Sequence, residues 1–313
     1  MNILLHCEFD NKDEWEKSIK KTFKFDKVFL LKDNPNLNKI ECAIIWNIPN
    51  NILKKLNNLR IIFSLGAGVD HILNLSDYKG TPIIRVKDPS MAKRMGYHVL
   101  SQILEYQLNL KYFQKAQLNK SWRENLQFQR QVKLNNQIKI GILGVGFLGT
   151  YVGKLLKKLD YNVIGFKKTP STKSVSFPIY TGKFIDYFIK TSDIIVSILP
   201  STSATKNFID KAFLNKMNKE SLLINVGRGA AINDSDLIFH LKKNNFFFVS
   251  LDVFQKEPLT KNSPLWAMDN VTITPHVASL TVVDIITKQM YKKITTFKKK
   301  KKIKSDVSIK KGY

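Results

Sequence analysis

The sequence has few of the features that mark membrane proteins, disulfide-bonded proteins and metal sites. Its only cysteines, Cys7 and Cys42, lie in apolar, strand-like runs without metal-ligand spacing, so we expect buried, reduced thiols in a cytoplasmic protein. No apolar run approaches the ~18 residues that a membrane span needs. The first residues, MNILLHCEFD, acquire acidic side chains too early for a signal peptide and read as a first strand. We therefore expect neither a bound metal nor a membrane partner.

Arginine is scarce in a chain that is otherwise strongly basic. The formal net charge is +26, yet only six of the 51 basic residues are arginines. Such a charge can mark a surface that binds nucleic acid, because clustered cations neutralise phosphates. The alternative is codon bias, since lysine, asparagine, isoleucine and phenylalanine look enriched and have AT-rich codons. We favour bias, because sites that read bases and phosphates use the bidentate guanidinium of arginine. We predict no specific nucleic-acid partner.

The chain is long enough for two domains with cores of their own. It has 313 residues, of which 43% are hydrophobic. Strand-like runs alternate with helix-compatible segments in two series, which predicts an α/β fold of two doubly wound, parallel-sheet domains of the Rossmann or flavodoxin-like kind. The first series is NILLHCEF, KVFLL, CAIIW, RIIFSLG and PIIRV; the second is QIKIGILG, NVIGF, DIIVSIL, SLLINVG, FFFVSLDVF and VTITPH.

The segments outside these two series suggest how the domains are connected. Helical spacing without proline from Met95 to Ala116 predicts one long connecting helix. The final helix, marked by Thr281 and Asp284, follows the complete second series and could return to the first domain. We therefore expect a discontinuous substrate domain of residues 1–95 and 282–313, and a dinucleotide-binding domain of residues 96–281.

A glycine-rich turn opens the second series. Gly144, Gly146 and Gly149 fit the G-x-G-x-x-G pattern, after a predicted strand and before an amphipathic helix. The first glycine permits the tight turn, the second lets the backbone approach a pyrophosphate, and the third lets the helix pack on the strand. The helix N-terminus adds free N–H groups and a positive dipole end. We predict a dinucleotide site here and include Phe147 and Leu148 in it.

The acidic residue that usually binds the ribose of NAD is missing. About twenty residues after the glycine turn, where that acid is expected, the strand NVIGF continues as KKTP. Lys167 and Lys168 can meet a 2′-phosphate as ammonium groups, and Thr169 can donate a hydrogen bond to it. The alternative is that these are surface lysines in a lysine-rich chain. We predict NADP(H) as the cofactor, with NAD(H) as a weaker alternative.

Three later strands are each followed by one charged or titratable residue: Arg228, Glu257 and His276. Arg228 is the only arginine after Arg130, and its planar fork can bind a carboxylate or carbonyl in two places. Histidine can exchange a proton near neutral pH, and a glutamate beside it would fix its tautomer and favour the imidazolium. The closely spaced glycines of SLGAGVDHI predict bare N–H groups suited to a small carboxylate. The other histidines are weaker candidates for this chemistry: His6, His71, His98 and His240.

Taken together, these motifs resemble one known family. GILGVGFLG, VGRG, DVFQKEPL and SPLWAMDNVTITPHVAS are similar to D-2-hydroxyacid dehydrogenases, and the resemblance runs over nearly the whole chain. SLGAGVD, FKKT and KKGY most resemble the glyoxylate/hydroxypyruvate reductase branch of the A type. The resemblance implies a homodimer with an active-site cleft between the two domains. It makes His276 the acid/base, Glu257 its partner and Arg228 the substrate anchor.

The resemblance also implies further binding residues. One position departs from the family pattern, because Tyr97 in MGYH stands where many members carry an acid. This departure leaves the local cofactor contacts open. The implied cofactor residues are Leu199, Pro200, Thr205, Val226, Gly227 and Asp252, and the substrate residues are Trp46, Ala67 and Gly68, together with Arg228 and His276.

The expected activity is the NADPH-dependent reduction of small 2-oxo acids, from glyoxylate to glycolate and from hydroxypyruvate to D-glycerate. Hydride transfer to the keto carbon would accompany protonation by His276. Two alternatives stay open: another substrate specificity within the same family, and a nucleotide-sensing binding protein of this fold without turnover. The combination of Arg228, Glu257 and His276 favours an enzyme, because a binding module needs no proton donor.

Overall fold

Two parallel β-sheets, one in each of two chain units, form the framework of the protein. The computed structural model describes residues 1–9, 11–85, 87–122, 133–168, 170, 174–244, 247–300, 303–309 and 312. The first unit consists of Met1–Ser90 and Thr281–Tyr313, and the second of Met91–Leu280. Within the described residues, no helix has the length and apolar character to cross a membrane.

The strands follow one another in the order that the two sequence series predict, with one additional short strand. The strands are β1 (Asn2–His6), β2 (Lys27–Phe29), β3 (Cys42–Ile45), β4 (Ile61–Ser64), β5 (Ile83–Ile84), β6 (Lys139–Leu143), β7 (Asn162–Phe166), β8 (Ile179–Tyr180), β9 (Ile194–Ser197), β10 (Leu222–Asn225), β11 (Phe248–Leu251) and β12 (Val271–Ile273). The α-helices are α1 (Lys12–Thr22), α2 (Asn50–Leu53), α3 (Asp70–Leu73), α4 (Pro89–Gln107), α5 (Leu110–Leu118), α6 (Phe147–Lys158), α7 (Ile185–Thr191), α8 (Lys211–Lys216), α9 (Asp234–Lys243) and α10 (Val283–Lys300).

The first unit is built on a five-stranded parallel sheet in the order β2-β1-β3-β4-β5. The central strands β3 and β4 are buried along their whole length, which agrees with their largely apolar sequences. Helices α1 and α10 pack together although they come from opposite ends of the chain. The Ser18 hydroxyl donates to Asp284 Oδ1 at 2.6 Å, and the rings of Phe23 and Tyr291 meet edge to face at 5.2 Å. The final helix therefore completes the first unit.

The second unit contains a seven-stranded parallel sheet in the order β12-β11-β10-β9-β6-β7-β8. Successive side chains of β9 enter different cores: Ile195 packs in one cluster, whereas Ile194 and Val196 pack in the other. This alternation places a hydrophobic core on each face of the sheet. The strand order reverses between β6 and β9, and in open α/β sheets ligands bind at the carboxyl ends of strands at such a reversal. The predicted α/β fold with two doubly wound parallel sheets is confirmed.

Two predictions of local structure need correction. The single helix predicted from Met95 to Ala116 is wrong, because α4 ends at Gln107 and α5 begins at Leu110. Between them, Asn109 adopts a left-handed conformation with φ of 52°, which a short polar side chain tolerates and which ends the first helix. Strand β8 was not among the predicted strands, since two residues are too few to show a periodicity.

The two cysteines differ in their surroundings. Both are free thiols, but Cys42 is fully buried in β3, whereas Cys7 lies just beyond β1 and is only half-buried. The prediction of a buried thiol is therefore correct for Cys42 and wrong for Cys7. Burial is the largest influence on the Cys7 thiol and raises its pKa to about 11, so that it stays protonated at neutral pH. Among the described residues, no group of three or more His, Cys, Asp or Glu side chains could hold a metal ion.

Candidate active site

The predicted site residues of the second unit lie along one edge of the seven-stranded sheet. All its strands are parallel, so that their carboxyl ends meet at the same edge. The glycine turn follows β6, Lys167 and Lys168 follow β7, Leu199 and Pro200 follow β9, Val226 to Arg228 follow β10, Asp252 follows β11, and His276 follows β12. The sheet therefore brings together residues that lie far apart in the sequence.

Glu257 and His276 form a hydrogen-bonded pair at this edge. His276 Nδ1 lies 2.8 Å from Glu257 Oε2, and Glu257 Oε1 accepts a hydrogen bond from the Phe254 N–H at 3.0 Å. Both side chains are accessible, with 41% of His276 and 37% of Glu257 exposed. A carboxylate can only accept, so that Nδ1 carries the proton of this bond. Nε2 is then the ring nitrogen that is available to exchange a proton with a ligand.

The surroundings of Glu257 keep its carboxylate ionised. Burial is the largest single influence and by itself would raise the pKa of Glu257. The hydrogen bonds from His276 and from the Phe254 N–H, together with the positive charges of His276 and Arg228, outweigh it and hold the pKa below its ordinary value. Glu257 therefore stays negatively charged at neutral and mildly acidic pH.

The backbone at His276 has an unusual conformation that a buried aspartate holds in place. The φ angle of His276 is 56°, in the left-handed region that non-glycine residues seldom adopt. The His276 N–H donates to Asp252 O at 2.8 Å, and the Asp252 carboxylate accepts from Thr274 Oγ1 at 2.6 Å and from the N–H groups of Val277 and Ala278 at 2.9 and 3.0 Å. Asp252 is 1% exposed. It thus fixes the loop that carries the histidine, a role that our sequence interpretation missed.

Arg228 lies in a loop that packs directly on the segment leading to Glu257. A Cβ atom at Gly229 would lie 1.8 Å from the Phe254 carbonyl carbon, so only glycine allows this approach of the two backbones. The Asn225 side chain donates to Arg228 O at 3.1 Å, and Arg228 Nη1 donates to Gly227 O at 3.0 Å. The second glycine of VGRG therefore couples the position of the arginine loop to that of the Glu257 loop.

The glycine turn after β6 has the geometry that a pyrophosphate requires. Gly144 has φ of 104°, and a Cβ at Gly149 would lie 2.2 Å from Gly144 O, so both positions depend on glycine. At Gly146 a Cβ would meet no atom within 4 Å, which means that the backbone faces open space there. Helix α6 begins at Phe147 without a side-chain cap, so the N–H groups of its first turn, including those of Phe147 and Leu148, point to this space. These residues fit a dinucleotide.

Two lysines follow β7 where an acid would bind a ribose. The Lys167 N–H donates to Tyr180 O at 3.1 Å, which continues the sheet and sets the direction of the chain. Lys167 is half-buried and Lys168 is exposed. Within the described part of the chain, neither ammonium group makes an ion pair. Thr169, the third residue predicted to contact a 2′-phosphate, lies outside the described residues.

Most of the other residues that the family resemblance assigns to the cofactor lie in the loops after β9 and β10. Thr205 Oγ1 donates to Pro200 O at 2.6 Å and accepts from the Thr202 N–H at 2.9 Å, which folds this loop back on itself. A Cβ at Gly227 would lie 2.6 Å from Leu199 N, so the loops after β9 and β10 are in direct contact. Val226 is buried beside them. Their contact with a cofactor stays a prediction.

The remaining predicted substrate residues belong to the first unit. Trp46 directly follows β3 and is half-buried, and Ala67 and Gly68 follow β4. The backbone N–H groups of Ala67 and Gly68 make no hydrogen bond to any residue that the structure describes. They are available to an anion, as the spacing of the glycines predicts. Tyr97, which replaces an acid of the family pattern, is 52% exposed and lies under the Lys93 ammonium group, 5.6 Å from it.

Comparison with known proteins agrees with this arrangement. Residues 100–278, more than half of the chain, match the family described as D-isomer specific 2-hydroxyacid dehydrogenase, NAD binding domain. The chain belongs to this family. It is 27% identical over 319 residues to glyoxylate/hydroxypyruvate reductase A of Photorhabdus laumondii, and the match covers 100% of both chains. The predicted family and enzyme class, an NAD(P)-dependent 2-hydroxyacid dehydrogenase, are thus confirmed.

Two solved structures of 2-hydroxyacid dehydrogenases resemble the whole chain. One is an NADPH-dependent glyoxylate/hydroxypyruvate reductase from Sinorhizobium meliloti in complex with NADP and sulfate, with a TM-score of 0.91 and 27% identity. The other is a D-isomer specific 2-hydroxyacid dehydrogenase from Xanthobacter autotrophicus in complex with NADPH and MES, with a TM-score of 0.90 and 27% identity. Each match covers 100% of this chain and 99% of the other.

Proposed function

We propose that this dehydrogenase is an NADPH-dependent reductase of small 2-oxo acids, which converts glyoxylate to glycolate and hydroxypyruvate to D-glycerate. The observation that carries the proposal is the Glu257–His276 pair, 2.8 Å apart, at the same sheet edge as the glycine turn. A binding protein without turnover has no need of such a proton donor. The reductase names of the relatives from Photorhabdus laumondii and Sinorhizobium meliloti support the choice of substrate.

The chain's own residues supply the acid chemistry of the reduction. A bound reduced nicotinamide supplies a hydride to the keto carbon. His276 Nε2 protonates the oxygen on which negative charge develops, while Nδ1 keeps its hydrogen bond to Glu257. The ionised Glu257 stabilises the imidazolium before the proton is given up. The His276 side chain must be protonated to act in this direction.

Arg228 and the N–H groups of Ala67 and Gly68 hold the substrate in this proposal. The guanidinium polarises the keto oxygen and orients the substrate through two donors in a fixed plane. The two free backbone N–H groups bind the carboxylate. An orienting role of this kind affects both binding and the rate of the chemical step.

Cofactor choice in this proposal depends on the residues after β7. The 2′-phosphate of NADPH meets Lys167 and Lys168, whose ammonium groups have no carboxylate partner among the described residues. An acid at this position would instead bind the ribose hydroxyl of NAD and repel the phosphate. The solved relatives with bound NADP or NADPH support this choice.

We extend the proposal to domain roles, assembly and location. The unit with the seven-stranded sheet binds the cofactor, the other unit binds the substrate carboxylate, and the protein is a cytoplasmic homodimer. Support for a dimer comes from large apolar side chains that are exposed in and around α5. These residues are Leu108, Leu110, Phe113, Leu118 and Trp122, the last two more than 80% exposed. Size-exclusion chromatography with light scattering measures the assembly, and a monomer at micromolar concentration contradicts this part.

The direct test is oxidation of NADPH, followed at 340 nm, with glyoxylate and with hydroxypyruvate, and with NADH in parallel. Turnover that requires both NADPH and the 2-oxo acid supports the proposal. Tight NADPH binding without turnover of any 2-oxo acid contradicts it and favours a nucleotide-sensing role. A titration of duplex DNA over a range of salt concentrations, done beside it, examines the basic surface. Binding that is weak, blind to sequence and steeply dependent on salt is the expected result.

A further inference from the structure

The loop that follows β4 contains the free N–H groups of Ala67 and Gly68, and the buried Ser64 and the half-buried His71 and Trp46 lie against it. Ser64 is the last residue of β4 and is fully buried. Its Oγ lies 3.1 Å from Gly66 O and 2.8 Å from Gly68 O, and 3.1 Å from His71 Nε2. A single hydroxyl therefore contacts the carbonyl groups of both glycines of this loop and a histidine of α3.

The hydrogen bonds around His71 have a defined direction. Its Nδ1 accepts from the Asn47 N–H at 3.2 Å, so that in the neutral ring the proton lies on Nε2. Nε2–H then donates to Ser64 Oγ, which leaves the hydroxyl proton of Ser64 for a glycine carbonyl. Hydrogen bonds in such a chain polarise and strengthen one another.

Trp46 fixes the position of the same loop from another side. Its ring lies 4.2 Å from the His71 ring, centroid to centroid. A Cβ at Gly66 would lie 2.4 Å from Cζ3 of Trp46, so the loop backbone rests directly on the indole. Ser64, His71 and Trp46 together therefore leave the loop little freedom to turn its peptide planes.

The direction of a carbonyl group decides the direction of the N–H group in the same peptide. In a trans peptide the C=O and N–H bonds point in opposite directions. The carbonyl of Gly66 points inward to Ser64, so the N–H of Ala67, which belongs to the same peptide, points away from the buried hydroxyl. If the carbonyl lost this partner, the peptide could rotate, and a carbonyl oxygen turned outward would repel a carboxylate.

We propose that Ser64 and His71 are positioning residues that hold the Gly66–Gly68 loop in the orientation in which its N–H groups bind the carboxylate of a 2-oxo acid. Neither side chain contacts the substrate in this role. The proposal rests on the proposed function, because that function places the substrate carboxylate at these N–H groups. It assigns a task to a histidine that the sequence pattern alone does not single out.

The test measures binding of oxalate, a dicarboxylate of the size of glyoxylate, to the NADP-loaded protein by isothermal titration calorimetry. The variants are S64A, H71F and H71Q. Phenylalanine keeps a ring against Trp46 but has no hydrogen bond, whereas glutamine places an amide donor near the position of Nε2. H240F, the same substitution on α9 of the second unit, is the matched control.

We expect the Kd of oxalate to rise about 3- to 10-fold in S64A and H71F, as for the loss of one hydrogen bond, and to recover in H71Q. The KM for glyoxylate should rise by a similar factor, with smaller effects on kcat. The affinity for NADPH should not change, and H240F should behave as the parent. A defect that is only structural would lower the melting temperature without this selective effect on oxalate.

Several results would overturn the proposal. The first is an unchanged Kd of oxalate in S64A and H71F, and the second is an equal loss of oxalate affinity in H71Q and H71F. The others are a parallel loss of NADPH affinity, and failure of all three variants to fold as judged by circular dichroism. If the parent binds oxalate but reduces no 2-oxo acid, the proposed function fails while the oxalate titration still decides the role of Ser64 and His71. If the parent does not bind oxalate, the positioning role fails.

Discussion

The carboxyl edges of the two sheets are built for different kinds of recognition. At the edge of the seven-stranded sheet, the accessible groups are charged and titratable side chains: Arg228, Glu257 and His276 are at least partly exposed. At the edge of the five-stranded sheet, the polar side chain of Ser64 points into the protein, and the free donors are backbone N–H groups. A group that gives up a proton has to be a side chain, whereas a carboxylate can be held by the backbone alone.

The largest expected effect falls on the edge that exchanges protons. Replacing His276 by Ala removes the proton donor, so we expect kcat for glyoxylate reduction to fall by ~10²–10⁴-fold. The KM should change much less, because the binding groups stay in place. Steady-state kinetics with NADPH measure both, and circular dichroism checks the fold. A variant with nearly parental kcat would show that this edge does not supply the proton.

The next effect separates charge from geometry at the same edge. Arg228→Lys keeps the positive charge but loses the planar fork, so the KM for the 2-oxo acid should rise and kcat should fall. The loss of one charged, bidentate contact suggests a decrease in kcat/KM of about 10- to 100-fold. Arg94→Lys, at an exposed position of α4, is the matched control. Equal kinetics for the two variants would mean that Arg228 acts only as a charge.

A third variant tests whether the lysines after β7 are specific or part of the general basic surface. Replacing Lys167 and Lys168 by Ala should raise the KM for NADPH and leave that for NADH nearly unchanged. One phosphate contact corresponds to about 10- to 100-fold in kcat/KM. The control is a double replacement of Lys299 and Lys300, which are exposed at the end of α10. If the control lowers kcat/KM for NADPH as much as the Lys167 and Lys168 replacement does, the preference for NADPH comes from the overall charge of the surface.

The smallest expected kinetic effect concerns the partner of His276. Glu257→Gln keeps the shape of the side chain but removes the negative charge beside His276 Nδ1, so kcat/KM for glyoxylate should fall, though less than in His276→Ala. The measurement is steady-state kinetics with NADPH at neutral pH for the parent and both variants. Parental kinetics in Glu257→Gln would remove Glu257 from the proposed proton chemistry.

The same variant has a consequence for stability with a definite sign. Because the pKa of Glu257 is lowered in the folded protein, the ionised pair contributes stability above the ordinary glutamate pKa of about 4. That contribution is lost as the pH falls through the lowered value. The parent should therefore melt at a slightly higher temperature than Glu257→Gln at neutral pH, and the difference should vanish in acid. A difference that grows in acid would contradict the assignment.

Local sequence patterns predicted the parts of the site that depend on strand ends. Gly144, Gly146 and Gly149 could be placed because a strand, a turn and a helix adjoin them in sequence, and the structure shows the same order. The cap of α9 is equally local, since Asn233 accepts a hydrogen bond from the Asp236 N–H at 3.2 Å. Such features depend only on residues close together along the chain.

Features that depend on contacts between loops could not be predicted in this way. Asp252 accepts hydrogen bonds from the 274–278 segment, which begins more than twenty residues later in the chain. These bonds could be predicted only if the path of that segment were known. The contacts of His71 could not be predicted either, because its partner Ser64 ends β4 and its partner Asn47 follows β3. The break at Asn109 was missed for another reason: an apolar spacing suited to a helix continues across it.

The packing of α10 against α1 sets an order of events when the protein is made. The strands of the five-stranded sheet leave the ribosome first, but the helix that carries Asp284 and Tyr291 to α1 is translated after the whole second unit. At ~5–20 residues per second, the delay is roughly ten seconds or more. During that interval the nascent first unit lacks a piece of its own core. The unit whose synthesis begins first is therefore completed last, when α10 emerges from the ribosome.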